Sequence, residues 1–203
     1  MDVRELKVPG AWELTPKIHG DSRGMFFEWL TDHGFRDFAG HPLNVQQANC
    51  SVSAAGVVRG LHFAQLPPSQ AKYVTCVRGA VFDVVVDIRV GSRTFGQWDC
   101  VLLDEKDRRT IYLSEGLGHG FLALQDDSTV MYLCSAEYNP RREHTICATD
   151  PALDIDWPLV DGAAPSLSDR DAAAPSLDEV RAAGLLPTWE ETLKFVAQLR
   201  EQG

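Results

Sequence analysis

One stretch limits the possible folds more than any other. In Ala80-Val81-Phe82-Asp83-Val84-Val85-Val86-Asp87-Ile88, alternate positions from Ala80 to Ile88 are all apolar. The positions between them mix Val81 and Val85 with Asp83 and Asp87. Period two with β-branched enrichment is the signature of a strand, and the two aspartates keep the run from reading as a membrane helix. Further short apolar runs cover Tyr73 to Val77, Trp98 to Leu103, Thr110 to Leu113, Phe121 to Leu124 and Val130 to Cys134. Turn signals separate them at Arg78-Gly79, Gly91-Ser92, Asp104 to Asp107, Glu115-Gly116 and Asp126-Asp127. Many short strands at this spacing predict an all-β, antiparallel sandwich or barrel. Upstream, Gly20 to Gly24 reads as a hairpin turn leading into Met25 to Leu30.

The tail changes character. Ser176 with Glu179 and Thr188 with Glu191 are capping-box pairs, and Gly184 stands where a first helix should stop. Trp189, Leu193, Val196 and Leu199 form an apolar stripe at helical spacing. These signals predict one domain over 1–203, with barrel and site loops over 1–175 and a helical tail over 176–203.

Charge and cysteines narrow the function classes. With 19 basic against 29 acidic residues the net charge is -10, which opposes general nucleic-acid binding. Between Asp150 and Arg181 eight acids face two arginines, so the rest is nearly balanced and a compact basic pocket remains open. Five widely spaced cysteines without a C-x-x-C pair read as reduced thiols. The charged opening Met1 to Glu5 has no apolar stretch behind it. A cytoplasmic protein with no membrane partner is expected.

The densest polar segment is Arg59-Gly60-Leu61-His62-Phe63, followed by Pro67 to Tyr73. A histidine amid apolar residues is usually a hydrogen-bonded core group. Arg59 and Lys72 beside it suggest instead an anion site with a base. His119, in Gly118-His119-Gly120, reads most simply as part of a turn, and Tyr132 as a core strand residue. Asp169-Arg170-Asp171 reads as a solvated acidic loop. No H-x-H or H-E-x-x-H is present, so no metal is expected; no dinucleotide or P-loop fingerprint appears either.

Taken together, several segments resemble one family. Gly56 to Phe63, Gln70-Ala71-Lys72, Phe82 to Arg89 and Thr94-Phe95-Gly96 are similar to the dTDP-4-dehydrorhamnose 3,5-epimerases, the actinobacterial members above all. The resemblance continues through His119-Gly120-Phe121, Tyr132, Glu137-Tyr138, Asp150-Pro151, Trp157-Pro158 and Leu167 to Asp171, in order, over about residues 3 to 187.

That resemblance implies a cupin-like jelly-roll barrel and a homodimer, with neither metal nor organic cofactor. It implies inversion of C3 and C5 of dTDP-4-dehydro-6-deoxy-D-glucose. Both carbons flank the C4 ketone, so an enolate must form. By resemblance His62 is the base, and a histidine's ordinary pKa of about 6.5 suits that task. Asp171 matches its carboxylate partner, with Asp169 a disfavoured neighbour. Lys72 matches the cation beside the enolate oxygen, and Tyr132 the proton donor. Arg23, Glu28, Gln47, Asn49, Arg59, His119, Glu143 and Arg170 match substrate-contacting positions, and Tyr138 the aromatic that stacks on thymine. Departures are Ala64, Ser114 and Gly118, all in loop-shaping places. The nearest rival is an epimerase acting at one carbon only. A silent sugar-nucleotide binder and a metal-dependent cupin stand further off.

Overall fold

The computed structural model describes residues 1–158 and 160–202. The chain opens with β1 (Asp2–Glu5), β2 (Ala11–Thr15) and a small hairpin of β3 (His19–Asp21) and β4 (Gly24–Phe26). Helix α1 (Asp32–Ala39) follows, then β5 (Gln47–Ser53), β6 (Val58–Ala64), β7 (Lys72–Arg78) and β8 (Ala80–Asp87). Next come β9 (Trp98–Asp104), β10 (Thr110–Leu113), β11 (Leu117–Ala123), β12 (Ser128–Cys134) and β13 (Glu143–Thr145). Three helices end the chain: α2 (Asp169–Ala172), α3 (Leu177–Ala182) and α4 (Trp189–Gln202).

The strands form a six-stranded sheet in the order β1-β2-β10-β7-β12-β5 and a five-stranded sheet in the order β13-β6-β11-β8-β9. All pairings within them are antiparallel. This is a cupin-like jelly roll. Val74, Ile111 and Val130 of one sheet meet Val81, Val85, Val101 and Phe121 of the other in the central core.

Both faces of β8 are covered, and this explains its odd composition. Its fully apolar face does not line the barrel. Val84 and Val86 pack outward with Ile88 against Ile146, Leu153, Trp157, Leu177 and Val180 of the C-terminal segment. The mixed face points inward, where Val81 and Val85 join the core and Asp83 and Asp87 are fully buried. Each buried carboxylate has a partner, as burial requires. Asp87 takes two hydrogen bonds from Arg89 at 2.7 and 2.8 Å, plus those of Ser92 and Thr94.

Two readings of local structure change. Gly118-His119-Gly120 lies inside β11 rather than in a turn. There a register shift in the pairing with β6 accompanies very close approach of the two strands. A Cβ on Gly60, whose φ is +132°, would stand 2.6 Å from Gly120 Cα, so only glycine fits. Asp169 to Asp171, expected as a solvated loop, begins the short helix α2. Ser168 caps it, accepting from the Asp171 amide at 3.1 Å, and Asp171 is buried. Helix α3 starts at the Ser176/Glu179 capping box, and Gly184 takes a left-handed φ of +69° just after it.

The outer face of the six-stranded sheet is roofed by α1, whose Phe35 and Ala39 pack on Leu14, Tyr73 and Tyr112. Tyr112 is fully buried, and its hydroxyl has no hydrogen-bond partner among the described residues. Removing an unpaired buried hydroxyl removes a desolvation cost. Tyr112→Phe is therefore expected to leave the thermal unfolding midpoint unchanged or higher. A clear drop would mean that the hydroxyl has a partner.

Candidate active site

Two adjoining cavities open between the sheets, of about 280 and 350 Å³, and both are lined by His62, Lys72, Tyr132 and Arg170. The first adds Arg59, His119, Asp171 and Ser51; the second adds Gln47, Asn49, Tyr138 and Glu143. His62 stands on β6 of the five-stranded sheet, whereas Lys72 and Tyr132 stand on β7 and β12 of the six-stranded sheet. The imidazole and the phenol thus approach the space from different walls.

His62 Nε2 lies 2.9 Å from Asp171 Oδ1. Burial raises the Asp171 pKa, but hydrogen bonds from His62, Ser168 and the Gly60 backbone outweigh it and hold the carboxyl below its ordinary value. An ionised carboxylate only accepts, so Nε2 carries the proton and donates to Asp171. The free lone pair is then on Nδ1. Asp169, the neighbouring alternative, does not line the cavity.

The sign of the Asp171 shift makes a pH prediction. A carboxyl held low in the fold stabilises it fully above the unfolded value, about pH 4, and loses that contribution as pH falls through the lower folded value. Asp171→Asn should be less stable than wild type near neutrality, with the difference shrinking in acid. Urea unfolding at about pH 6 and about pH 3 measures this; a gap that widened in acid would contradict the pairing.

A second histidine–carboxylate pair stands alongside. His119 is the register partner of His62 across β6 and β11, and its Nε2 lies 2.9 and 3.0 Å from the two oxygens of Asp83. Burial raises the Asp83 pKa, against the pull of His119 and Lys72. Lys72 is 9% exposed and makes no ion pair among the described residues. A nearly buried ammonium without a bound counter-charge is a place for a ligand's negative charge.

Burial raises the Tyr132 pKa, so its hydroxyl keeps its proton near neutrality. The Glu143 carboxyl is likewise raised by burial, with Lys72, His62 and Arg170 pulling the other way. Arg59 donates to Ser53 Oγ at 3.0 Å and Val52 O at 3.2 Å, and it makes no ion pair among the described residues. Arg59, Lys72 and Arg170 together make a positive field inside an acidic chain, which suits an anionic ligand. On β5, Gln47, Asn49 and Ser51 occupy alternate positions. Gln47 Nε2 donates to Asn49 Oδ1 at 2.8 Å, while its Oε1 accepts from the Tyr138 amide, also at 2.8 Å. The Tyr138 ring is half exposed at the mouth.

Arg23 and Glu28 are not brought to these cavities. Arg23 sits on the β3–β4 hairpin, paired with Asp21 and with 87% of its side chain exposed, and Glu28 is also exposed. Conversely, Asp83, Ser51 and Phe121 belong to the site without having been singled out. Asp83 carried a signal, since a carboxylate in an otherwise apolar strand must find a buried partner.

A model of the dTDP-4-dehydrorhamnose 3,5-epimerases matches residues 5–179. The chain belongs to this family. A Mycobacterium tuberculosis protein named dTDP-4-dehydrorhamnose 3,5-epimerase is 80% identical over 200 residues, spanning 98% of this chain and 99% of that one. A Streptomyces niveus family member named dTDP-4-dehydrorhamnose 3-epimerase is 54% identical over 189 residues, spanning 93% and 90%. Among solved structures, an M. tuberculosis epimerase superposes with a TM-score of 0.97 at 79% identity, covering 98% of this chain and all of that one. A 3'-monoepimerase of the same family from Streptomyces bikiniensis, solved with dTDP-quinovose, superposes at 0.92 with 47% identity, covering 96% and 98%.

Proposed function

We propose that this chain inverts both C3 and C5 of dTDP-4-dehydro-6-deoxy-D-glucose, giving the 4-keto precursor of dTDP-L-rhamnose. The observation that carries the reading is a cavity with His62 on one wall and, on the other, Tyr132 beside a Lys72 that makes no ion pair among the described residues. His62 Nδ1 takes a proton from a carbon beside the C4 ketone. The C–H electron pair passes into the enolate, and the charge gathering on the C4 oxygen is met by Lys72. Tyr132 then gives its phenolic proton to the opposite face and recovers one from solvent, while His62 Nδ1 passes the proton it took to water. The same cycle at the second carbon completes the reaction. Every proton and electron pair is accounted for by the chain's own groups and water.

The remaining residues hold the nucleotide. Arg59 suits the diphosphate, because a guanidinium gives two parallel bonds. Tyr138 suits the thymine ring, and Gln47, Asn49, His119, Glu143 and Arg170 supply polar contacts. A second reading, inversion at one carbon only, is favoured by the family members named as 3-epimerases at about half identity. The much higher identity to a protein named as a 3,5-epimerase supports the double reaction. Proton NMR of the sugar ring after incubation with the enzyme separates them through the H–H couplings. Changes at both C3 and C5 are expected; a change at one of the two alone gives the second reading, and an unchanged spectrum contradicts both.

A homodimer completes this reading. The β3–β4 arm holds Arg23 away from its own chain's cavity and exposes Met25 at 52% and Phe26 at 67%. In a two-fold pair such an arm brings Arg23 and Glu28 towards the partner's substrate. Light scattering at micromolar protein should give twice the chain mass; a monomer would count against it.

A further inference from the structure

The expected apolar stripe of α4 is poorly used. Of the 14 residues in this helix only Thr192 is fully buried, and Leu193 is 50% exposed. Between α4 and the outer face of the six-stranded sheet lies a cavity of about 370 Å³, and it shares no lining residue with the two catalytic cavities. Its floor includes Trp12 and Tyr112, stacked with ring centres 5.5 Å apart. Trp189 and Val196 of α4 stand over it.

Arg89, Arg200, His41 and the exposed carboxylate of Glu5 line this space, and the two guanidinium groups are unequally occupied. Arg89 is satisfied, by Asp87 and by the Pro9 carbonyl, and it stacks on Trp189 at 4.6 Å. Arg200 is not. Its Nε donates to Ala39 O at 3.2 Å, and its terminal nitrogens have no partner among the described residues. The absence of a side chain on Gly40 makes room for it, since a Cβ there would lie 3.0 Å from that Nε. Rings on floor and roof with one guanidinium to spare select a flat apolar body carrying a single anionic acceptor.

We propose that the space beneath α4 is a second ligand site, distinct from the catalytic cavity, for a small planar aromatic carboxylate. The ring lies between Trp12 and Trp189, and the carboxylate meets Arg200. Filling the space also gives the α4 stripe the packing it lacks.

Titration of the full chain with 2-naphthoate, followed by the tryptophan indole N–H signals, tests this. Saturable shifts of Trp12 and Trp189 are expected, with the same affinity in the presence and absence of dTDP. Arg200→Met, and separately replacing the probe by neutral 2-naphthamide, should each weaken binding roughly tenfold. Val196→Trp, which fills the space with an indole, should abolish the shifts. No saturable shift at millimolar probe, competition by dTDP, or indifference to both Arg200→Met and the amide would overturn the proposal.

Discussion

His62→Ala is expected to stop hydrogen exchange at both sugar carbons almost completely while dTDP binding stays close to normal. Loss of a general base typically costs roughly 10²–10⁴-fold. In the proposed mechanism one imidazole serves both carbons, so both should fail together. The nucleotide contacts assigned to Arg59 and Tyr138 lie on other residues and should survive. His62 is partly exposed to the cavity, with its partner Asp171 the more buried of the two. Truncation therefore opens space at the site rather than a void in the core. Binding by calorimetry and exchange by NMR on one preparation decide the matter. Near wild-type exchange at either carbon would show that a second base exists, and His119 with its Asp83 pair would be the first to examine.

The second large effect separates acid from base. Tyr132→Phe keeps the ring and its packing against the central core and removes the phenolic hydroxyl. Deprotonation by His62 should continue, and the enolate should mostly regain its proton from the face that lost it. The variant should therefore wash solvent hydrogen into the substrate yet form little inverted product. A tyrosine with a packing role alone would leave inversion intact, or lose exchange and inversion together with stability. Equal loss of both in a protein with a normal thermal midpoint would remove Tyr132 from the acid role.

How far residues alone reveal such a site depends on local pattern. Strands β7 to β10 and β12 announce themselves, because period-two apolar runs broken by turn residues have few other uses. The direction of β8 does not. Its purest apolar face meets the C-terminal segment, a layer with no regular period to read in advance. Polar strand β5 has too few apolar residues to register as a strand, although its alternation of Gln47, Asn49 and Ser51 is what presents them inward. Helix α1 was also hidden, since it carries Gly34 in its first turn and a Thr31 cap without an acidic capping-box partner.

The site divides in the same way. Lys72 and His62 could be paired from their flanking residues, but Asp171 lies 109 positions from His62 and only the folded chain brings them to 2.9 Å. Composition alone put Asp171 in a solvated loop. One serine cap on α2, and the burial that follows, reverse that. Arg23 and Glu28 were legible only by resemblance, and nothing in a single chain explains their place.

In the proposed reaction, facing acid and base groups invert the sugar through an enolate. The most direct test is proton NMR of the wild-type reaction on dTDP-4-dehydro-6-deoxy-D-glucose run in heavy water. The inverted product should carry deuterium at both C3 and C5, because each proton delivered by Tyr132 comes from solvent. Inverted product that kept the original hydrogen at these carbons, or no deuterium at either, would contradict the account.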